Sequence, residues 1–151
     1  MIASRASNAA PFKRSRPTVA CVTHPPGAGA FARTLDIHVR RELDDGGVEI
    51  ECLATDAHVN HNGIVHGGLA MTLLDVAMGA TVMRSLKAGE RTASVSINTE
   101  FMRAAKPGRL VARASLARRG RTMAFPAGEL LDADGHVVAR ASGVWSISAK
   151  P

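Results

Sequence analysis

A single acid, Asp75, stands in the stretch GGLAMTLLDVAMGATVM, Gly67 to Met83, where every other residue is apolar, glycine or threonine. No Lys or Arg lies three or four residues away to pair with it. An ionised carboxylate in apolar surroundings without a partner costs several kcal/mol, so it takes up a proton, finds donors elsewhere in the fold or faces a wet cavity. A carboxyl with a raised pKa inside a cleft is the usual form of a general base. The alternative is a carboxyl satisfied by backbone donors or placed at the helix rim. Just ahead of it, Gly67 and Gly68 follow His66 at the start of the same run. In the first turn of a helix the backbone N–H groups lack intrahelical partners and the dipole is positive. Without Cβ atoms there, a substrate oxygen can come close, and the same donors suit a phosphate or a developing oxyanion.

Gly67 and Asp75 are about 12 Å apart along a helix axis, too far to act on one carbonyl. Two such helices lying antiparallel across a twofold would bring the donors of one near the carboxylate of the other, giving two equivalent sites per dimer. The helix itself predicts the same partner. Residues 68–83 are apolar or small on all sides, Asp75 sharing its face with Met71, Thr72, Met78, Gly79 and Val82, and a helix of that kind is buried all round. One sheet covers one face, so a second copy of the chain is expected to cover the other.

The elements that must hold this helix are legible as alternation. Leu35, Ile37 and Val39 alternate with Asp36, His38 and Arg40, DDGG supplies turn chemistry and VEIEC resumes the period, which predicts a hairpin over residues 35–54. The polar TDAHVNHNGIV is a loop, and the helix follows over roughly 66–86, stopped by KAGE with Gly89 as its cap. Four further runs, TASVSINTEFMR, RLVARASLAR, RTMAFPAGELL and HVVARASGVWSIS, read as strands. Their dividers AKPG, RRG and DADG favour sequential antiparallel pairing, and Pro126 indicates an edge or a bulge. The order predicts an α+β architecture, one antiparallel sheet of five to six strands wrapped around one long central helix.

Composition bounds the rest. A chain of 151 residues with 46% hydrophobic and 21% charged side chains is an ordinary single domain. Residues 1–35 carry Arg5, Lys13, Arg14, Arg16 and Arg33 and no acid, while the whole chain carries 19 Lys plus Arg against 13 Asp plus Glu, so the net charge of +6 belongs mainly to the tail. Residues 1–30 are expected to be a flexible basic extension and residues 31–151 the domain. Pro11, Pro17, Pro25 and Pro26 break the amphipathic helix a transit peptide needs. The one long apolar run contains Asp75 and ends at Arg84, short of a bilayer span. The tail has Phe12 as its only aromatic before Phe31 and no recognition motif follows, which excludes nucleic acid as the expected partner. Cys21 and Cys52 form neither a disulfide framework nor a zinc site, and two free thiols suit a reducing, cytoplasmic setting. His58, His61 and His66 lie beside the positive end of a helix, which repels a cation, so no metal is expected. GAGAFA fits a dinucleotide fingerprint formally, but THPP stands where its strand should be.

From Leu35 to Ile147 the sequence resembles the PaaI-like hotdog-fold acyl-CoA thioesterases. The specific part is HVNHNGIVHGGLAMTLLDVAMGA, an Asn, a short Gly-containing loop, His-Gly-Gly and an acid nine residues after that His; SVSINTEFMRAAKPG, RRGRTMAF and DADGHVVARASG support it. The resemblance implies hydrolysis of acyl-coenzyme A thioesters without a cofactor, in a homodimer extended to a dimer of dimers. By it, the Gly67 N–H polarises the carbonyl with His66 shaping the turn, Asn60 holds the thioester or the water, and Asp75 of the facing subunit is base or nucleophile. Ser94 matches a position that orients water beside the carboxylate, and it stands as the one such helper because Gly79 replaces the Thr or Ser of some relatives. Arg119 and Arg121 of the basic turn RRGR are candidates for the phosphates of coenzyme A. Met71 and Met78, with Gly68, are candidate substrate contacts, since methionine serves core and pocket alike. A thioester carbonyl is activated enough that one oxyanion donor and one base suffice, and no G-x-S-x-G elbow is present. Two rivals remain open: a hydratase or dehydratase pairing His66 with an acid, and a non-catalytic acyl-CoA-binding protein using the basic tail as its arm.

Overall fold

The computed structural model describes residues 29–150. The tail, and Cys21 within it, therefore lie outside the described residues except for Gly29 and Ala30, which open a short helix α1, Gly29–Thr34. The strands follow as β1 His38–Glu42, β2 Val48–Ala54, β3 Glu90–Phe101, β4 Gly108–Arg119, β5 Met123–Leu131 and β6 Val137–Ala149, with helix α2, Gly67–Arg84, between β2 and β3. All pairings are antiparallel in one six-stranded sheet of order β1-β2-β4-β5-β6-β3. Among the described residues no helix is long and apolar enough to cross a membrane.

The sheet curls around α2 because its inner face is built from small residues. Ala112, Ala114, Ala124, Gly128, Ala139 and Ala141 are all buried there or face the helix. At Gly128 an added methyl would sit 2.9 Å from the Arg113 carbonyl oxygen and 3.4 Å from Leu74 Cδ2, so the helix rides on the sheet at the point where a side chain is missing. Leu69, Leu73, Leu74, Ala77, Met78 and Val82 fill the space above it. The opposite stripe of α2 is not covered within one chain: Met71 is 46% exposed, and Thr72, Asp75, Val76 and Gly79 are half-buried. This is the face that the sequence reading assigns to a second copy of the chain.

Three expectations shift. The first strand starts at His38 instead of Leu35, because α1 ends in a turn in which Asp36 takes a left-handed φ of 52° and Ile37 drops into the core. Ser85, and not Gly89, caps α2, its N–H donating to Val82 O at 2.9 Å, while Gly89 at φ 79° turns the chain into β3. AKPG is not a hairpin turn either. After β3 the loop crosses the end of the sheet, Met102 and Arg103 N–H both donating to Val138 O, so that β4 pairs with β2 and β3 sits beside β6 at the edge. Pro126 lies inside the sheet opposite a bulge of β4, where the register slips between Leu116 and Arg118.

On the outer face the strands carry a row of alternating charge. Arg41 faces Glu49, Glu49 faces Arg113, Arg113 faces Glu129, and Glu129 and Glu100 both face Arg140, so all six strands contribute. Glu49 is wholly covered, held by Arg41 Nε at 2.6 Å, Arg113 Nε at 2.7 Å and Arg40 Nη1 at 3.0 Å. A bulge in β1 between Val39 and Arg41 lets two consecutive arginines reach the same carboxylate.

Candidate active site

The loop before α2 is fixed by its own backbone. Val59 bridges to Val65, His66 N–H donates to His58 O at 2.8 Å, and Val65 N–H donates to Ala105 O at 2.8 Å. His58 and His66 both serve as caps: His58 Nδ1 accepts from Thr55 N–H at 3.0 Å and His66 Nδ1 from Gly68 N–H at 2.9 Å. Leu69 and Ala70 N–H point back to His66 O. Of the first-turn donors of α2, only the Gly67 N–H finds no acceptor among the described residues. The Gly68 donor, by contrast, is already committed to the cap.

Gly67 opens on a cavity of about 300 Å³, a volume in the range of small-molecule sites. Asn60 lines it, with Oδ1 accepting from Asn62 N–H at 2.9 Å, which leaves the amide NH2 as the group available to a ligand. The remaining walls are apolar, Ile64, Val65, Ala70, Leu130 and Val138 among them, with Phe101 and Arg103 at the end of β3 and the start of the crossing loop. A methyl added to Gly67 would have atoms of the Phe101 ring as its three nearest neighbours, two of them at 3.2 Å. We expect this crowding to show as coupling: Gly67→Ala is less favourable by about 1 kcal/mol with the ring present than in a Phe101→Ala background. Thermal unfolding of the four chains measures it, and additive effects would mean the ring leaves the glycine's space freely.

Asp75 lies elsewhere. It is half-buried, no hydrogen bond or ion pair reaches its side chain among the described residues, and burial pushes its carboxyl above the usual carboxylate range. One turn on, Gly79 faces the indole of Trp145, whose Nε1 would be 3.7 Å from an added methyl, and Trp145 is the register partner of Ser94. Asp75 and Ser94 therefore belong to the half of the molecule toward the start of β3, while Phe101, seven residues along the strand or about 23 Å from Ser94, belongs to the other.

The structure brings Asn60, Gly67 and His66 together at one end of α2 and leaves Asp75 and Ser94 apart from them. Arg119 and Arg121 also stand at the far end, where Arg119 is ion-paired with Glu90 and Arg121 is exposed. Met78 is fully buried among core residues, which removes it as a substrate contact, whereas Met71 is exposed. Of two wall residues, Phe101 reads as core in the sequence and Arg103 is not singled out there, because an aromatic and a cation in an alternating run look like core and solvent.

Comparison with known proteins places the chain in a family. Residues 62–139, just over half of the chain, match the family described as Thioesterase superfamily. The chain is similar to acyl-coenzyme A thioesterase 13 of Homo sapiens, with 32% identity over 97 residues, 63% of this chain and 69% of that one. Among solved structures it is similar to a phenylacetic acid degradation-related protein of Ralstonia eutropha JMP134, at 36% identity and a TM-score of 0.73 over 78% of this chain and 89% of that chain. It is also similar to a protein of Bacillus halodurans solved with CoA, at 27% identity and a TM-score of 0.70 over 78% of this chain and 75% of that chain.

Proposed function

Because the chain belongs to the thioesterase superfamily, we propose that it hydrolyses acyl-coenzyme A thioesters in a site shared between two copies, with Asp75 as the base. The observation that carries this reading is the division of the machinery. An unbonded helix-terminal donor and an Asn amide open on a cavity, and a carboxyl without a partner sits at mid-helix, out of their reach within one chain.

Self-association follows from the edges. β3 is a twelve-residue edge strand, pairing among the described residues with β6 alone, and Val95 on it is 60% exposed. Natural sheets blunt such edges; here the register slips once, between Ser94 and Ser96, and among the described residues neither a proline of the strand nor a covering element protects the rest. Two copies of β3 running antiparallel about a twofold near its middle set the Ser94 end of one against the Phe101 end of the other. Asp75 of the partner subunit then approaches Asn60 and Gly67. The Arg119–Arg121 turn of the partner is carried toward the same mouth, where Arg103 already stands as a counter-charge for coenzyme A phosphates. The finer assembly, a dimer of dimers, belongs to the same reading.

In the reaction, the acyl carbonyl oxygen accepts from Gly67 N–H, and Asn60 orients the thioester or the water. The Asp75 carboxylate takes a proton from water as its oxygen bonds to the carbonyl carbon, and the negative charge settles on the oxygen held by Gly67. Collapse breaks the carbon–sulfur bond, the thiolate takes the proton back from Asp75, and a free acid and coenzyme A leave. His66, with Nδ1 engaged in capping, is a positioning residue in this reading, shaping the turn that presents Gly67.

Release of free thiol from a panel of acyl-CoAs tests the activity, and tight binding without turnover would favour the non-catalytic reading. Mixing tests the sharing. Asn60→Ala and Asp75→Asn chains, each inactive alone, should regain about a quarter of wild-type activity after random subunit exchange, since half the dimers then hold one intact site of two. No recovery despite exchange proven by mass would overturn the shared site.

A further inference from the structure

The ring of Phe101 has no folding reason to be where it is. It is 60% exposed, it closes β3 at the sheet edge, and it lies against the bare backbone of Gly67 while forming one wall of the cavity. Its backbone is not free to withdraw it, because the next two residues, Met102 and Arg103, are tied to Val138 O at 2.9 and 3.2 Å.

Resting on the thioesterase reading above, we propose that Phe101 is a specificity-determining residue that limits substitution at the carbon next to the thioester carbonyl. A carbonyl oxygen accepting from Gly67 N–H stands about 2.9 Å from that nitrogen, which puts the acyl carbon and its α-carbon in van der Waals range of the ring. Two ring atoms already stand 3.2 Å from where a Gly67 Cβ would be, so no space remains on that side for a further methyl. Leu130, Val138 and Ala139 wall the same cavity of about 300 Å³, apolar side chains against which an unbranched chain can lie. The ring thus acts on the shape of the acyl group at its first carbon and leaves chain length to the walls behind.

The test compares kcat/KM for butyryl-CoA with that for pivaloyl-CoA, whose α-carbon carries three methyl groups, in the wild-type dimer, Phe101→Ala and Phe101→Leu. One misplaced methyl in a fitted apolar pocket changes such ratios by about 10- to 200-fold. Phe101→Ala is expected to narrow the preference for butyryl-CoA by tenfold or more, with Phe101→Leu between it and wild type, while gel filtration shows an unchanged assembly. A preference that stays the same in both variants overturns the proposal. So does an equal loss on both substrates that tracks dissociation, which would make the ring a subunit contact only. Failure of the wild-type protein to hydrolyse butyryl-CoA or any other unbranched thioester would count against the thioesterase reading itself, a result separate from either of these.

Discussion

Replacing Asp75 with Asn lowers kcat for acyl-CoA hydrolysis by about two to four orders of magnitude, the usual contribution of a positioned base, and raises thermal stability slightly. The two effects have one cause. Burial without a partner raises the Asp75 pKa, so the folded protein holds the charged form at a disadvantage that an isosteric neutral amide does not share. A group whose folded pKa is raised contributes stability that is fully present below its unfolded pKa and lost as pH rises through the folded one. The wild-type chain is therefore expected to lose stability across that window relative to the Asn variant. In the same window its kcat/KM rises, because only the carboxylate accepts a proton. Melting curves and pH–rate profiles of both chains check this. An Asn variant that keeps full activity, or one that unfolds more easily than wild type at neutral pH, would contradict the role.

Glu49→Gln should cost about 3 kcal/mol, because it leaves Arg40, Arg41 and Arg113 crowded around a neutral group. For a domain of this size that lowers the melting temperature by about 10 °C. Desolvation by burial pushes the Glu49 carboxyl up, but the Arg41 hydrogen bonds and the charges of Arg113, Arg41 and Arg40 outweigh it and hold the pKa below the usual range. With a depressed folded pKa, the stabilisation is present above the unfolded value, near pH 4.3 for Glu, and is lost as pH falls through the folded value. Wild type should thus lose this advantage on acidification and converge on the Gln variant. Denaturant titrations at neutral pH and near pH 3 measure the convergence, and equal stabilities at neutral pH would show that the arginines gain nothing from the carboxylate.

Sequence alone disclosed the elements well where one physical signal dominated. Period-two alternation located all six strands, and the unbroken apolar run located α2. Neighbours were harder. AKPG has the residues of a tight turn, yet the chain crosses the sheet end there, and no local feature of Pro107 or Gly108 distinguishes the two. Glu49 was read as one more outward polar residue in VEIEC, because the bulge that doubles the arginines on it has no mark in the sequence. For the site, the distance from Gly67 to Asp75 was enough to argue for two chains. Which donor stays free was not, since that depends on the His66 imidazole claiming Gly68. Phe101 reads as core in the sequence, because its importance comes from what it lies against, a glycine more than thirty positions earlier.

The placement of β3 also bears on how the chain is made. Among the described residues its one neighbour in the sheet is β6, which is made after β4 and β5, whereas β4, β5 and β6 follow one another and zip locally. During synthesis β3 emerges as a long, apolar-tipped ribbon that waits for β6 to appear. A premature stop anywhere before residue 137 would release a product with that ribbon permanently unpaired, ready to aggregate with others of its kind.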